Sequence, residues 1–358
     1  MVRILHTADW HRGAPSAHPI YQQKTLPEII KLALDNKCDY ILIVGDIFDK
    51  PNPDQKVKDE LVKQLLDYLE YDTKLKFIFT LGNHDYTTKA KIYHSLHYLA
   101  LLKKAISMYA PDGENNIYVL SPGDYLSLPN LDVYVMKEWG EIRYARKNKP
   151  LVLTWHGLVP GMSFSKLKDI PEATQKYIVR MLNESGAKYI ALGDIHRCMK
   201  VGKRCWYSGP PVQKAYSDKD GVLIVKIIPK KIKIKKHRLN LPKKITLEID
   251  FEEGKSSEES LIEFVKEKVP VNQLLKLKFE LPLSTWSSLD RVYIEKALQE
   301  HCLELKLENN PIPEVRARRS IDKMSKAKTI EEEIGIILKE EDFGLRKKKL
   351  KKICLRYV

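Results

Sequence analysis

YILIVGDIFD, Tyr40 to Asp49, and KYIALGDIHR, Lys188 to Arg197, share one plan: an apolar run, then Gly-Asp, then Phe48 in one copy where His196 stands in the other. An apolar run of about five residues stopped by glycine reads as a buried strand. Working outward, VRILHT, KFIFTL, DVYVM, LVLTW and GVLIVKI repeat the pattern. Their nearly unbroken apolarity means strands covered on both faces. Between them lie helix-period stripes: Leu26, Ile29, Ile30, Leu32 and Ala33; then Leu61, Leu65, Leu66 and Leu69; then Tyr177, Ile178, Met181 and Leu182. Strand alternating with helix predicts an α/β domain over residues 1–240.

Lys226 to Lys244 alternates apolar residues with lysines and is closed by Pro242, which predicts an edge strand leading out of that domain. Composition then shifts. ITLEIDF, LLKLKFELPL and LELKLE read as strands, LIEFVKEKV and VYIEKALQEH as helices, the first opened by a Ser256/Glu259 capping box. The result is a small α+β domain over 245–308. The basic, Pro-bearing stretch 309–328 reads as a linker, and 329–358 as a helical tail with apolar stripes at Ile330, Ile334, Ile337 and Leu338 and at Leu350, Ile353, Cys354 and Tyr357. Two such helices are too small to be stable alone, so they fold onto the body or dock on a partner.

The chain has 358 residues and a formal charge of +15, the excess being Lys and Arg. Such a balance attracts polyanions, nucleic acid before anionic membrane. The lysines of 230–244 and Arg316, Arg318 and Arg319 are expected to contact phosphate backbone, with a merely solvated face as the alternative. Five cysteines without a C-x-x-C pair argue against a disulfide framework and a zinc ribbon. No apolar stretch approaches the ~20 residues of a membrane span, and MVRILHTADW is not a signal peptide.

The strand ends carry the chemistry. Asp9 and His11 follow the first run, Asp46 and Asp49 the second, Asn83, His84 and Asp85 the third; His156 closes LVLTW, and Asp194 and His196 follow KYIALG. In open α/β sheets ligands bind beyond the carboxyl ends of the strands. Carboxylate, imidazole and amide oxygen suit Mn²⁺, Fe²⁺ or Zn²⁺, whereas a structural zinc site would prefer Cys. The donors exceed what one ion needs, so two ions are expected, with Asp46 between them at roughly 3.5–4 Å. Such a pair binds a phosphoryl oxygen and activates water. His84 can then point at the leaving oxygen with Asp85 orienting it. His6 is expected in the core or behind the ligands, His18 in a solvated loop, and Arg12 at the site mouth. His94, His97, His237 and His301 are expected on surfaces without partners.

DWH (9–11), GDIFD (45–49), GNHD (82–85), WHG (155–157), GDIH (193–196) and the stretch from Trp206 to Ile227, with its Tyr-x-Gly-x-Pro turn, resemble the calcineurin-like metallophosphoesterases. Within them the sequence is similar to the SbcD-type (meiotic-recombination-eleven-like) nucleases of double-strand-break repair, including phage recombination nucleases. The motifs cover about the first 230 residues; the remainder matches in layout only. The resemblance implies a metallophosphoesterase β-sandwich flanked by helices, a small DNA-binding capping domain and the helical tail. Asp9, His11, Asp46 and His196 would hold one ion; Asp46, Asn83, His156 and Asp194 the other; His84 would be the catalytic histidine. It further implies two Mn²⁺, with Mg²⁺ possible, DNA as substrate, a homodimer through stripes near 61–69 and 92–102, an SbcC-type ATPase on the tail, and the cytoplasm (the host's, if viral). The family usually reads Gly-His-x-His where Gly193 is followed by Asp194. A carboxylate there still suits a hard ion such as Mn²⁺; a turn residue is the alternative. The expected function is a manganese-dependent DNA exonuclease/endonuclease subunit acting at DNA ends with its ATPase in recombination and repair. A nucleotide or small-molecule phosphodiesterase, which needs neither the charge nor the second domain, and a non-catalytic DNA-end-binding subunit stay open as alternatives.

Overall fold

The computed structural model describes residues 1–69, 74–86, 116–141, 149–162, 171–229, 231–251 and 257–312. The stripe expected near 92–102, the linker beyond Ile312, the arginines at 316–319 and the tail 329–358 lie outside the described residues. Contacts divide the chain into two compact units, Met1–Lys244 and Ile245–Val358.

The first unit holds two six-stranded sheets. Sheet one contains β1 (Val2–Thr7), β2 (Tyr40–Val44), β3 (Lys76–Thr80) and β4 (Ile117–Leu120), with β11 (Val222–Ile228) and β12 (Lys231–His237) beyond β1, in the order β12-β11-β1-β2-β3-β4. Sheet two contains β5 (Tyr125–Ser127), β6 (Asp132–Val135), β7 (Leu151–His156), β8 (Tyr189–Gly193), β9 (Met199–Gly202) and β10 (Cys205–Tyr207), in the order β5-β6-β7-β8-β10-β9. The strands β1 to β4 run parallel, as do β6, β7, β8 and β10, so each sheet sends its central strands toward one edge.

The period of two along a strand explains the unbroken apolar runs. In β2, Tyr40, Leu42 and Val44 join a cluster with Ile4, Val133, Val152, Tyr189 and Ala191, which lies between the sheets. Ile41 and Ile43 face the other way, onto a cluster with Leu26, Ile29, Leu61, Leu65, Phe77 and Phe79. That cluster draws on α1 (Pro19–Asp35) and α2 (Gln55–Leu69). On the outer face of sheet two, Leu153, Ile190 and Leu192 pack with Ile178, Met181 and Leu182 of α3 (Glu172–Ser185). Leu61 and Leu65, read as part of a dimer stripe, are therefore spent on the chain's own core, while Leu66 and Leu69 are partly exposed. Tyr177 leaves the stripe of α3 and lies 43% exposed. His6, fully buried on β1, meets the Tyr189 hydroxyl on β8 at 2.9 Å and ties the two sheets together.

Several local expectations change. The lysine-rich run breaks at Pro229 into the antiparallel pair β11 and β12, because proline can neither donate to a ladder nor extend a central strand. The edge strand is β12, its lysines outward. His18 caps α1, accepting from the Ile20 amide at 3.3 Å, rather than lying in a free loop. Arg12 is buried and donates to the Gln22 carbonyl at 3.0 Å instead of facing the site mouth. Cys38 and Cys205 are buried, Cys198 is partly so, and all three are free thiols.

The second unit is described through Ile312. β13 (Lys244–Ile249), β14 (Gln273–Phe279) and β15 (Cys302–Asn309) form a three-stranded sheet. Helices α4 (Glu258–Lys268), α5 (Leu283–Ser288) and α6 (Arg291–Leu298) contribute Leu261, Val265, Ile294 and Leu298 to a core with Leu275, Leu277 and Phe279. The capping box of α4 sits one residue later than expected, on Ser257 and Ser260, since the run Ser-Ser-Glu-Glu-Ser offers two registers. Asn309, read as linker, ends β15; His301, read as partnerless, bonds the Val269 carbonyl at 2.7 Å. Among the described residues no helix is long and apolar enough to cross a membrane.

Candidate metal centre

Five parallel strands end on one side of the sandwich, and the loops just past their carboxyl ends interlock. Asp9 N–H donates to Gly45 O at 3.1 Å, His11 N–H to Asp46 O at 2.9 Å, and Gly157 N–H to Gly193 O at 3.2 Å. Asp9, His11, Asp46 and Asp194 all have positive φ, between 44° and 97°, a region that non-glycine residues avoid. Backbone strain of this kind persists where the surroundings over-determine it, and it gathers at functional sites.

The repeated Gly-Asp has a steric reason. A Cβ at Gly45, whose φ is +77°, would collide with the imidazole of His156. A Cβ at Gly193 would collide with the Val44 carbonyl and the same ring. Each glycine lets an element of the opposite sheet close over it, and each following aspartate is then aimed at the common space. Phe48 is wholly buried among apolar side chains, whereas His196 is about a third exposed at the site.

Three groups of ligand atoms converge: Asp9, His11 and His196; Asp9, Asp46 and His156; and His11, Asp49 and His84, each set within 4.8 Å of one another. His156 Nε2 lies 3.3 Å from Asp46 Oδ2 and 3.0 Å from Asn83 Oδ1. The Nε2 atoms of His11 and His196 face each other at 3.0 Å. Asp194 contributes its backbone: its N–H donates to Asp9 Oδ1 at 2.8 Å, and its carboxylate lies outside the three close groups.

The four imidazoles share one orientation. His156 Nδ1 donates to the Val44 carbonyl at 2.8 Å, and His84 Nδ1 to the Asp49 carbonyl at 2.7 Å. His11 Nδ1 lies 3.3 Å from Asp49 Oδ1, not aligned for a hydrogen bond, and His196 Nδ1 is 3.7 Å from Asp218 Oδ2. A carbonyl oxygen only accepts, so at His156 and His84 the tautomer is fixed and Nε2 is left for other work. Metal-binding histidines are held in this way, with the outer ring nitrogen on an oxygen. Asp85 does not serve as the partner expected for His84: its carboxylate accepts from Gly82 N–H at 2.9 Å, and it is fully buried.

The protein groups alone are electrostatically frustrated. Burial pushes the Asp9 carboxyl up to about 6, and its Oδ2 is buried with no hydrogen-bond partner. Burial also raises Asp194, and it lowers His11 to about 3. Burial works against the charged forms of Asp46 and His156 too, yet their mutual hydrogen bond and opposite charges win, taking Asp46 down to about 2 and His156 up to about 10. Desolvation likewise opposes a charge on His196, but the hydrogen bond to Asp218 raises it overall. A divalent cation would satisfy the orphaned carboxylate oxygen and replace the hydrogen between two facing imidazoles. The donor set of carboxylates, imidazoles and one amide oxygen therefore fits hard or borderline divalent ions.

Sequence reasoning assigned no role to Lys214 and Asp218, or to the carboxylate of Asp49. Lys214 Nζ sits 2.6 Å from Asp49 Oδ1. Both Lys214 and Asp218 lie in the loop after β10, inside the Tyr-x-Gly-x-Pro stretch; a lysine in a loop has no pattern to distinguish it from a solvated one.

The family model of the calcineurin-like phosphoesterases matches residues 2–198. The SbcD component of the SbcCD nuclease of Escherichia coli (strain K12) is 26% identical over 253 residues, 61% of this chain and 62% of that protein. The Rhodobacter capsulatus protein of the same name is 33% identical over 87 residues, 24% of this chain and 22% of its own length. The DNA double-strand break repair protein Mre11 of Sulfolobus acidocaldarius is 20% identical over 295 residues, covering 78% of this chain and 75% of that one. The first two relatives are thus matched over less than two thirds of their length.

Proposed function

The chain belongs to the calcineurin-like phosphoesterase family, and on that premise we propose that it is a DNA nuclease that hydrolyses phosphodiester bonds at DNA ends with two divalent ions, manganese in preference to magnesium. The observation that supports this most is the meeting of Asp9, Asp46 and His156 with His11 and His196 at the ends of strands from both sheets. In the proposal Asp9, His11, Asp46 and His196 hold one ion, and Asp46, Asn83, His156 and Asp194 the other. Ions held there supply charge neutralisation at the phosphoryl oxygens and lower the pKa of water.

The chain's own residues do the rest. Asp46 reaches both halves of the site: Oδ2 lies 3.7 Å from His11 and 3.3 Å from His156, and Oδ1 accepts the His84 amide at 2.9 Å. That amide bond fixes the backbone of His84, and the Asp49 carbonyl fixes its ring. His84 Nε2 is then the atom that delivers a proton to the leaving oxygen. The charge of +15 favours a polyanionic substrate over a nucleotide. Backbone contacts from the lysines of β12 and from the second unit, acting as a DNA-binding capping domain, would give affinity without sequence preference. A homodimer, and an SbcC-type ATPase docked on residues 329–358, complete the proposal; the names of the relatives support it.

The test is cleavage of end-labelled duplex and hairpin DNA with Mn²⁺ or Mg²⁺, beside bis-p-nitrophenyl phosphate and cyclic nucleotides. Manganese-dependent cutting of DNA is expected. Turnover of the small esters with DNA left intact would overturn the DNA assignment and favour a small-molecule phosphodiesterase.

A further inference from the structure

The third group of converging ligand atoms, His11, Asp49 and His84, has no place in a two-ion scheme. It joins a proposed metal ligand, His11, to the proposed proton donor, His84, through a carboxylate. Ligand atoms from all three lie within 4.8 Å of one another. Imidazole, imidazole and carboxylate make a competent set for Mn²⁺ or Zn²⁺. An ion there would be ruinous for the chemistry, because a histidine bound to a cation has no lone pair with which to carry a proton.

One feature stands in the way of such an ion. Lys214 reaches in from the loop after β10 and sets its ammonium 2.6 Å from Asp49 Oδ1, the same oxygen that lies 3.3 Å from His11 Nδ1. The loop is held from behind: Lys244 Nζ donates to the Lys214 carbonyl at 2.6 Å, and the Ala215 amide to Asp218 at 2.8 Å. The Lys214 side chain is only 27% exposed, so the pair is partly desolvated and its charge poorly screened. Arg12 neighbours the same space, but it is buried with its guanidinium on the Gln22 carbonyl.

We propose that Lys214 is a positioning residue that keeps divalent cations off the His11–Asp49–His84 group by occupying the Asp49 carboxylate with its ammonium, and so reserves His84 for proton transfer. The inference rests on the reading of this site as a metal-dependent phosphodiesterase. A fixed monovalent charge repels an arriving cation and cancels the carboxylate that would attract it. It also cancels a negative charge that would otherwise repel a phosphodiester.

The variant Lys214→Met keeps the length of the side chain and loses the charge. Mn²⁺ titrated into the full chain and followed by electron paramagnetic resonance should show one more bound ion per chain in K214M than in wild type. K214R, which keeps the charge, and the double variant D49N/K214M, which removes the carboxylate, should both return to the wild-type count. Cleavage by K214M should match wild type at low Mn²⁺ and fall about tenfold or more as Mn²⁺ rises, on the scale of losing a general acid, while wild type reaches a plateau. Equal ion counts and equal Mn²⁺ dependence in K214M and wild type would sink this inference and leave the nuclease assignment intact. Wild type that binds no ion would sink both. Thermal unfolding of each variant shows that the count is taken on folded protein.

Discussion

His84 donates the hydrogen on Nδ1 to the main-chain carbonyl of Asp49, 2.7 Å away, a residue 35 positions earlier and at the end of a different strand. A carbonyl cannot be deprotonated or turned away, so the ring keeps one tautomer at every pH that leaves the fold intact. Replacing His84 by Asn removes the titrating nitrogen and leaves the backbone bond from its amide to Asp46 in place. Cleavage of DNA by H84N should fall by about 10²–10⁴-fold, the usual weight of a general acid. The number of bound ions and the affinity for DNA should stay within a factor of a few. Residual activity near the wild-type level would mean that another group protonates the leaving oxygen.

The fold and the site differed in how much of them could be read from residues alone. Strand runs such as YILIV were legible because a residue buried on either face of a sandwich must be apolar. Asp9, His11, Asp46, Asn83, His156 and His196 were legible because parallel strands deliver their ends to one side, so that ordered residues become neighbours. The strands Ile117–Leu120, Tyr125–Ser127, Met199–Gly202 and Cys205–Tyr207 were missed: they are three or four residues long, too short to show a period. The partner of His84 was misread because sequence proximity favoured Asp85, while the acceptor is a main-chain atom, which every residue possesses. Lys214 was silent for a related reason. Nothing local marks a loop side chain that reaches a strand end 165 residues away.

Gly45 tests the steric argument for the Gly-Asp repeat. Its φ is +77°, and an added Cβ would strike the His156 ring. Gly45→Ala should cost on the order of 1–3 kcal/mol from the backbone alone, and the collision should also displace His156 from Asp46. Loss of Mn²⁺ affinity beyond the loss of thermal stability is the expected signature, measured by titration on folded G45A below its unfolding temperature. Unchanged metal affinity would show that His156 is not confined by Gly45.

His6 sets a pH limit on the fold. Burial holds its imidazole down at about 3, against an ordinary value of 6.5, even though a backbone hydrogen bond favours the charged form. Between these values the unfolded chain binds a proton that the folded chain refuses, so stability rises with pH across the window. The contribution is complete above about 6.5 and is lost progressively as the pH falls toward 3. At pH 4.5 the loss should be about 2–3 kcal/mol relative to pH 7, at 1.36 kcal/mol for each unit below 6.5. His6→Asn removes the titration and can still meet the Tyr189 hydroxyl. Urea unfolding at the two pH values should show H6N less stable than wild type at pH 7 but losing less on acidification. Equal losses in the two proteins would show that the His6 proton is not the one that matters.

Asp194 separates the work of a backbone from that of a side chain. Its amide holds Asp9 Oδ1 at 2.8 Å with φ at 97°, a conformation in which alanine would be strained but glycine would not. Asp194→Gly therefore deletes the carboxylate while leaving the amide, the turn and the grip on Asp9. Under the proposed ligand set, D194G should keep one ion at wild-type affinity. It should lose the other by more than the ~10–100-fold that removing an outer partner of a ligand costs. The weakened ion should be the one shared by Asn83 and His156, so that N83A and D194G/N83A lose no more than D194G alone. If D194G binds both ions as wild type does, Asp194 acts only through its main chain, and the Asp at this position is there for the turn.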